Sequence, residues 1–200
     1  MPDQAASATP SRRTRLTPER EHEVFTAVVD LVREQGYEAL TMDAVATRTK
    51  SSKATLYRQW ESKPKLVATA LRHLGKSHTE DADTGSLTGD LRRMVSDFIC
   101  HASEDTALLN GLAHAVSKDP ELWQALYELH IRPGLEAFDA AVHRAAERGE
   151  VDPANPAIEF VPHLIIGALG TRRLIENRDA DAAYMERYLN AVVLPSLGLA

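Results

Sequence analysis

Residues 40–63, LTMDAVATRTKSSKATLYRQWESK, read as two short helices around a tight turn, the second of them basic and rich in hydroxyls. Thr41 is placed to cap a helix by accepting from the backbone N–H of Asp43 or Ala44, with Leu40 and Val45 as a hydrophobic staple across the cap. That helix carries Met42, Val45 and Ala46 inward and Arg48 outward. It stops at Thr49-Lys50-Ser51-Ser52, where hydroxyls compete for backbone hydrogen bonds. Ser51 or Ser52 caps the second helix, in which Leu56 and Trp60 lie four apart on one face while Lys53, Thr55 and Arg58 lie elsewhere. One face packs and the other meets something polar. Ser62 then opens a further helix, with Pro64 in its first turn and Leu66, Val67, Ala70, Leu71 and Leu74 along one stripe.

Charge narrows what the polar face meets. From Thr47 to Lys76 there are eight basic residues against the single acid Glu61, a local excess of +7 in a chain whose net charge is −6. The first 76 residues hold 13 basic and 9 acidic residues, and the remainder 10 basic and 20 acidic. A concentrated cationic face favours approach to phosphates, while an acidic remainder keeps the rest of the surface off a polyanion.

Two hundred residues with 44% hydrophobic content suffice for a small head and a larger body. The single cysteine, Cys100, excludes an internal disulfide framework and fits a reducing cytoplasm. No apolar run resembles a signal peptide or approaches the ~18 residues of a membrane span, so the expectation is a soluble, cytoplasmic protein. The eight histidines include no pair three or four apart with a carboxylate partner, so no metal site is expected and no cofactor is implied. No Gly-x-Ser-x-Gly, phosphate loop, dinucleotide fingerprint or Cys-x-x-Cys is present, and no catalytic residue is assigned.

Around the motif the chain reads as helix after helix. Residues 1–16, rich in Pro, Ser, Ala and Thr with Arg12, Arg13 and Arg15, read as a flexible arm; a solvated tail is the simpler role for it and minor-groove entry its rival. A helix capped by Thr17 buries Val24, Phe25, Val28, Leu31 and Val32 and stops at Gly36. The small, polar stretch 77–89 marks a junction, after which Leu91, Val95, Phe98 and Ile99, then Leu108, Leu109, Leu112 and Val116, keep helical periods. Pro133 interrupts and kinks a helix begun at Asp119-Pro120. Asn155-Pro156 opens another, bent at Pro162 and apolar almost all round, which calls for burial on two sides, by its own domain and by a partner. Gly167, Ala168 and Gly170 permit close helix approach there. No alternating strand pattern appears, and the fold is expected to be all-α.

The run from Thr17 to Leu74 resembles the DNA-binding domain of TetR-type bacterial repressors. The match lies in Gly36-Tyr37, Thr41, Val45-Ala46, Ser52, Thr55-Leu56-Tyr57, Trp60 and Ser62-Lys63, in register with that family's Gly-[Tyr/Phe], Thr, Ile-Ala, Ser, Thr-Leu-Tyr, Phe and Ser-Lys pattern. Where the family often has Gly-Val in the turn, this chain has Lys50-Ser51. A left-handed Lys50 would cost roughly 1 kcal/mol, and Ser51 fills a slot that is usually apolar. The resemblance implies three parts: an arm over 1–16, a helix-turn-helix domain over 17–76 with its motif at about 41–60, and a ligand-binding and dimerisation domain over 77–200.

The residues expected at DNA are Thr41, Arg48, Lys50, Ser52, Lys53, Thr55, Tyr57, Arg58, Gln59 and Lys63. By resemblance Tyr57 and Lys63 meet phosphates; Lys53 and Arg58 either read bases or hold the backbone; Thr55 either donates to phosphate or satisfies its own helix. Leu56 and Trp60 read as core. The resemblance further implies a small, mainly apolar or aromatic effector in the body, with Phe98, His101, His114, Trp123, Tyr127, Phe138 and His163 as candidate lining, although ordinary packing explains each one. It also implies a homodimer through the last helices, with Leu164, Gly167, Gly170, Tyr188 and Val192 as candidates. The expected function is a ligand-responsive regulator, a repressor, on a palindromic operator. The rivals are an interaction module on the same fold and a helical enzyme.

Overall fold

In a computed structural model, the structure describes residues 16–74, 83–102, 112 and 114–199. Every element among these residues is helical. In chain order they are α1 (Pro18–Ala39), α2 (Met42–Thr49), α3 (Lys53–Trp60), α4 (Lys63–Leu74), α5 (Leu87–Ala102), α6 (Pro120–Leu126), α7 (Arg132–Glu147), α8 (Val161–Glu176), α9 (Ala182–Tyr188) and a terminal turn α10 (Leu194–Ser196). The expected arm, with Arg12, Arg13 and Arg15, and the residues Leu108 and Leu109 lie outside the described residues.

The head forms as its local signals direct. Thr17 caps α1 by accepting from the Arg20 amide at 3.3 Å, and Gly36, at φ 82 and ψ 162, breaks the helix before a last turn to Ala39. Val24, Val28, Val45, Leu56 and Leu66 are completely or almost completely buried together. This core does not end with the head. Leu112, Ala115 and Leu122 from the body pack into it, so head and body share an apolar centre. A second core, with Leu87, Leu91, Phe138, Ala145, Met185 and Leu189, joins α5, α7, α8 and α9.

Three proline positions depart from the expected boundaries. Pro133 does not interrupt its helix: α6 runs into α7 through a π turn over Tyr127–Ile131, and Pro133 stands in the first turn of α7. The wider turn accommodates a residue that lacks an N–H and whose ring would crowd the carbonyl four residues back. That carbonyl, Leu129 O, receives Arg72 Nη1 from α4 at 3.1 Å instead. The last helix repeats the device, with a π turn over Leu189–Val193 ahead of Pro195. The helix expected from Asn155-Pro156 begins only at Val161, after a 3₁₀ turn over Ile158–Phe160, because the Asn155 side chain accepts from the Ala157 amide at 2.9 Å and turns the chain. Pro162 therefore lies in the first turn of α8, where no N–H is needed, and does not bend a helix interior.

No described helix is long and apolar enough to cross a membrane.

Candidate nucleic-acid interface

The helix-turn-helix is assembled by its own side chains. Thr41 Oγ1 accepts from the Ala44 amide at 3.1 Å and Ser52 Oγ from the Thr55 amide at 3.1 Å, so α2 and α3 each start on a hydroxyl cap. Between them Lys50 adopts a left-handed conformation, φ 51 and ψ 36. The Lys50 amide donates to Thr47 O at 3.3 Å and the Ser51 amide to Ala46 O at 2.9 Å, the two bonds of a Schellman closure. Leu56 and Trp60 root α3 in the core, Trp60 packing edge-on against Phe25 at 5.5 Å between centroids. Ser52, Lys53, Tyr57 and Arg58 remain exposed on α3 and its cap, and Thr55 and Gln59 are half-buried.

The helix ends as sharply as it begins. Glu61 has φ 64 and ψ −46, and the Ser62 amide reaches back to Trp60 O at 2.6 Å, a γ-turn of the strained, positive-φ kind. The chain thereby reverses within three residues, and Ser62 Oγ accepts from the Lys65 amide at 3.4 Å at the start of α4.

Several cations of the basic face hold partners in the free chain. Arg48 pairs with Glu34 of α1 at 2.7 Å and Lys53 with Asp43 of α2 at 2.7 Å. The bond from Arg48 holds the Glu34 carboxyl below its usual range, and the bond to Asp43 holds the Lys53 ammonium above its own. All four side chains are exposed, so water screens these pairs and a phosphate can exchange into them at little cost. Lys63 is held differently. Its Nζ donates to Tyr37 O at 3.2 Å and lies 4.1 Å over the Tyr37 ring. Lys50 is exposed at the turn and Thr41 exposed at the head of α2.

The head is tied to the body at four points. Tyr37 Oη donates to Asp119 Oδ2 at 2.6 Å, while Asp119 Oδ1 caps α6 through the Glu121 and Leu122 amides at 3.0 Å each. Arg72 reaches Leu129 O, as above, and His130 Nε2 lies 2.9 Å from Ala68 O. A carbonyl only accepts, so His130 carries its proton on Nε2; burial keeps the imidazole below its ordinary pKa and hence neutral. The fourth tie is the shared apolar core.

The Tyr37 bond, followed by the Leu122 and Glu121 amides, holds the Asp119 carboxyl below its ordinary range. A depressed folded-state pKa contributes stability above the unfolded value that is lost as pH falls through the folded one. Tyr37→Phe is therefore expected to lower stability by at most about 1 kcal/mol at neutral pH, with the difference from wild type shrinking below about pH 4. Chemical denaturation of both proteins from pH 7 to pH 3 checks it; a difference that grew on acidification would contradict it.

The residues considered for an effector are spread through the body. Phe138 is buried in the second core; Trp123 stacks on Tyr127 with centroids 5.2 Å apart and is 44% exposed, and Phe98 is 47% exposed. His114 is exposed, and the His101 side chain lies outside the described residues. His163 sits on the exposed face of α8, its Nδ1 3.2 Å from Glu159 O. A groove of about 330 Å3 lies elsewhere, between α3–α4 and α6, with Trp60, Lys65, Thr69, Gln124 and Leu129 in its lining. No group of three or more His, Cys, Asp or Glu among the described residues is placed to hold a metal ion.

The candidates for association lie on α8, at the end of α9 and in the π turn that follows it. Leu164, Gly167 and Tyr188 are half-buried; Gly170 and Val192 are exposed, with Ile166, Leu174 and Ile175 beside them at 51%, 85% and 78% exposure. A Cβ built on Gly167 or Gly170 meets nothing of the same chain within 4 Å.

Sequence reasoning missed the partners of the reading face, Glu34 and Asp43, and the ties Tyr37–Asp119 and His130–Ala68. For the first two the sequence shows only that acids stand on neighbouring helices; which cation each meets depends on how the helices cross. The others are separated by 82 and 62 residues and carried none.

Comparison with known proteins agrees with this geometry. Residues 25–70 match the family model of bacterial regulatory proteins of the tetR family, and residues 81–192 match the tetracyclin repressor-like C-terminal domain. A DNA-binding transcriptional repressor TetR of Mycobacteroides abscessus is 34% identical over 163 residues, covering 80% of this chain and 84% of that protein. An uncharacterized HTH-type transcriptional regulator of Mycobacterium bovis is 31% identical over 179 residues, covering 89% of this chain and 88% of that one. A solved TetR family transcription regulator superposes with a TM-score of 0.65 at 27% identity, over 91% of this chain and 99% of the other.

Proposed function

The chain belongs to the TetR family of bacterial DNA-binding transcriptional regulators, and from that premise we propose that it is a cytoplasmic, homodimeric repressor that reads a palindromic operator through α3 and is released by a small molecule bound in its body. The observation that carries the reading is α3 itself: a helix rooted by Leu56 and Trp60 that leaves Lys53, Tyr57 and Arg58 exposed on a strongly cationic segment. A helix so held can enter a major groove while its neighbours track the backbone.

In this proposal residues 17–76 form the DNA-binding domain and residues 77–200 the ligand-binding and dimerisation domain. Thr41, Ser52, Thr55, Tyr57, Gln59 and Lys63 position the head on phosphates with Arg48 and Lys50, while Lys53 and Arg58 point to base edges or the backbone. Two copies place their α3 helices in successive major grooves, ~34 to 36 Å apart or a compatible larger span. The apolar side of α8 and α9, exposed in one chain, supports pairing with a second copy. The effector acts only through a difference in affinity between operator-fitting and non-fitting conformations, and the four ties between head and body support direct transmission from one to the other.

Selection of duplex DNA from a random or genomic pool, followed by sequencing, tests the proposal. An enriched inverted repeat is expected; no enriched sequence would contradict it. On the enriched duplex, Lys63→Ala is expected to weaken binding on all sequences alike and to reduce the salt slope by about one, because a phosphate contact releases a counterion without reading sequence. An unchanged slope would remove Lys63 from the backbone. Lys53→Ala is expected to relax preference at one position of each half-site by about tenfold; equal losses on every sequence would make it a phosphate contact.

A further inference from the structure

The turn between α2 and α3 sets the pitch of the reading helix, and its own residues are poorly suited to hold it. A left-handed residue is most at ease as glycine, and Lys50 occupies that place at φ 51. A Schellman closure is usually sealed by an apolar contact between the residue after the left-handed one and the third residue before the helix end. Here those positions are Ser51 and Ala46, and a hydroxyl offers Ala46 no such seal.

A side chain from another helix occupies the gap. Arg20, in the first turn of α1, directs its Nη2 onto Thr49 O, the last carbonyl of α2, and onto Ser51 Oγ at 3.2 Å. Glu23, one turn further along α1, binds the Nη1 of the same guanidinium and steadies it. Thr49 is itself buried, its hydroxyl donating to Val45 O at 2.8 Å, while its carbonyl accepts from Arg20. One nitrogen, Nη2, donates to both acceptors of the turn while Nη1 is held by Glu23, so the planar guanidinium meets the turn and its own helix at once, which the single nitrogen of a lysine on a flexible stem does less well.

We infer that Arg20 is a positioning residue for DNA reading: it clamps the strained Lys50-Ser51 turn to α1 and so fixes the angle at which α3 is presented. Arg20 replaces, from 29 to 31 residues away, the glycine conformation and apolar seal that the turn lacks. This rests on the operator-reading function proposed above. It also accounts for why a polar residue is tolerated at Ser51, since only a hydroxyl or similar acceptor there can receive the guanidinium.

The test uses the full-length protein, the duplex it most enriches from a random pool, and a scrambled duplex of equal length. Arg20→Ala is expected to lower affinity for the enriched duplex about tenfold, the loss expected for charge-assisted hydrogen bonds, while affinity for the scrambled duplex at low salt and helix content stay unchanged. A tilted head loses sequence reading but keeps its charge; an unfolded head would lose both. The same substitution is then made in a Lys50→Gly/Ser51→Val background, where glycine relieves the backbone and valine restores the seal. There Arg20→Ala is expected to cost less than about twofold, and any contribution of Lys50 itself cancels because both proteins share the background. An unchanged affinity in the wild-type background, equal losses on both duplexes, or an undiminished loss in the Gly-Val background would each overturn the inference. If the wild type enriches no duplex, the reading function itself fails and takes this inference with it.

Discussion

Gly167→Leu is expected to yield a folded monomer whose affinity for the enriched duplex is lower by about two orders of magnitude or more. The chain itself tolerates the change: a Cβ at 167 meets nothing within 4 Å, and α8 is rooted by Val161, Ala168 and Arg172 on its other side. In the homodimer proposed above, what the new side chain meets is the second copy. Ile166, Leu174 and Ile175 lie on a helix whose apolar residues outnumber those one chain can cover, and such a face in a water-soluble protein is normally closed by association. Two reading heads on one dimer bind a two-part site with the second contact made intramolecular, an advantage of about 10² to 10⁴ that a monomer forfeits. Light scattering and duplex titration of the variant check both halves of the expectation. A Gly167→Leu protein that remained dimeric would place the interface elsewhere. A monomer that bound as tightly as the wild type would show that pairing does not serve DNA reading.

The second large effect concerns the frame of the body. Asp90, with no exposed surface, accepts from the Thr84 amide and hydroxyl at 2.7 Å each, and Arg144 Nη2 of α7 lies 3.4 Å from its other oxygen. Nearby, Glu150 Oε2 accepts from the Leu87 amide at 2.7 Å and satisfies the first turn of α5. Removing one partner from a buried charge pair costs far more than the pair contributes, because the other charge is stranded. Asp90→Ala is accordingly expected to destabilise the protein by about 3 kcal/mol, a fall in melting temperature of roughly 6 to 12 °C for a chain of this size. Asp90→Asn, which keeps an acceptor for Thr84, is expected to cost less. Calorimetry on the three proteins checks the order; a melting temperature for Asp90→Ala within about two degrees of wild type would show that Arg144 finds equivalent partners without it.

What was legible in the sequence was what is decided locally. Thr41 announces the start of α2 because a hydroxyl cap acts within three residues, the pair Ser51-Ser52 announces that of α3, where the structure selects Ser52, and Leu56 and Trp60 announce the buried face of α3 because a helix repeats. The prolines misled where geometry depends on neighbours. Pro133 reads as an interruption, yet the structure widens the turn and gives the orphaned Leu129 carbonyl to Arg72, 57 residues away. Pro162 reads as a bend, yet a turn of 3₁₀ helix moves the start of α8 to Val161 and leaves the proline harmless.

The site was legible in its residue types and illegible in its restraints. Lys53 and Arg48 stand out as cations on a polar face, but their pairing with Asp43 and Glu34 depends on how three helices cross. Lys63 reads as a phosphate contact, and in the free chain it is held on the carbonyl and ring of Tyr37, whose hydroxyl reaches the cap of α6. That chain of contacts joins the proposed DNA face to the body through groups 26 and 82 residues apart, a connection no local pattern encodes. For the same reason the candidate effector residues, chosen by type, stand apart: Phe138 went to the core, Trp123 and Tyr127 to a half-exposed stack and His163 to the outside of α8.

In the proposed complex two copies of this chain read one duplex in a sequence-dependent way through α3. Titrating the purified protein, across a range of salt concentrations, onto its enriched duplex and onto a scrambled duplex of equal length measures this directly. Two chains per enriched duplex, or an even multiple, are expected, with a preference of about 10³ or more over the scrambled one that persists at physiological salt. Equal affinity for both duplexes, disappearing together as salt rises, would contradict it and leave the basic face as an unspecific electrostatic surface.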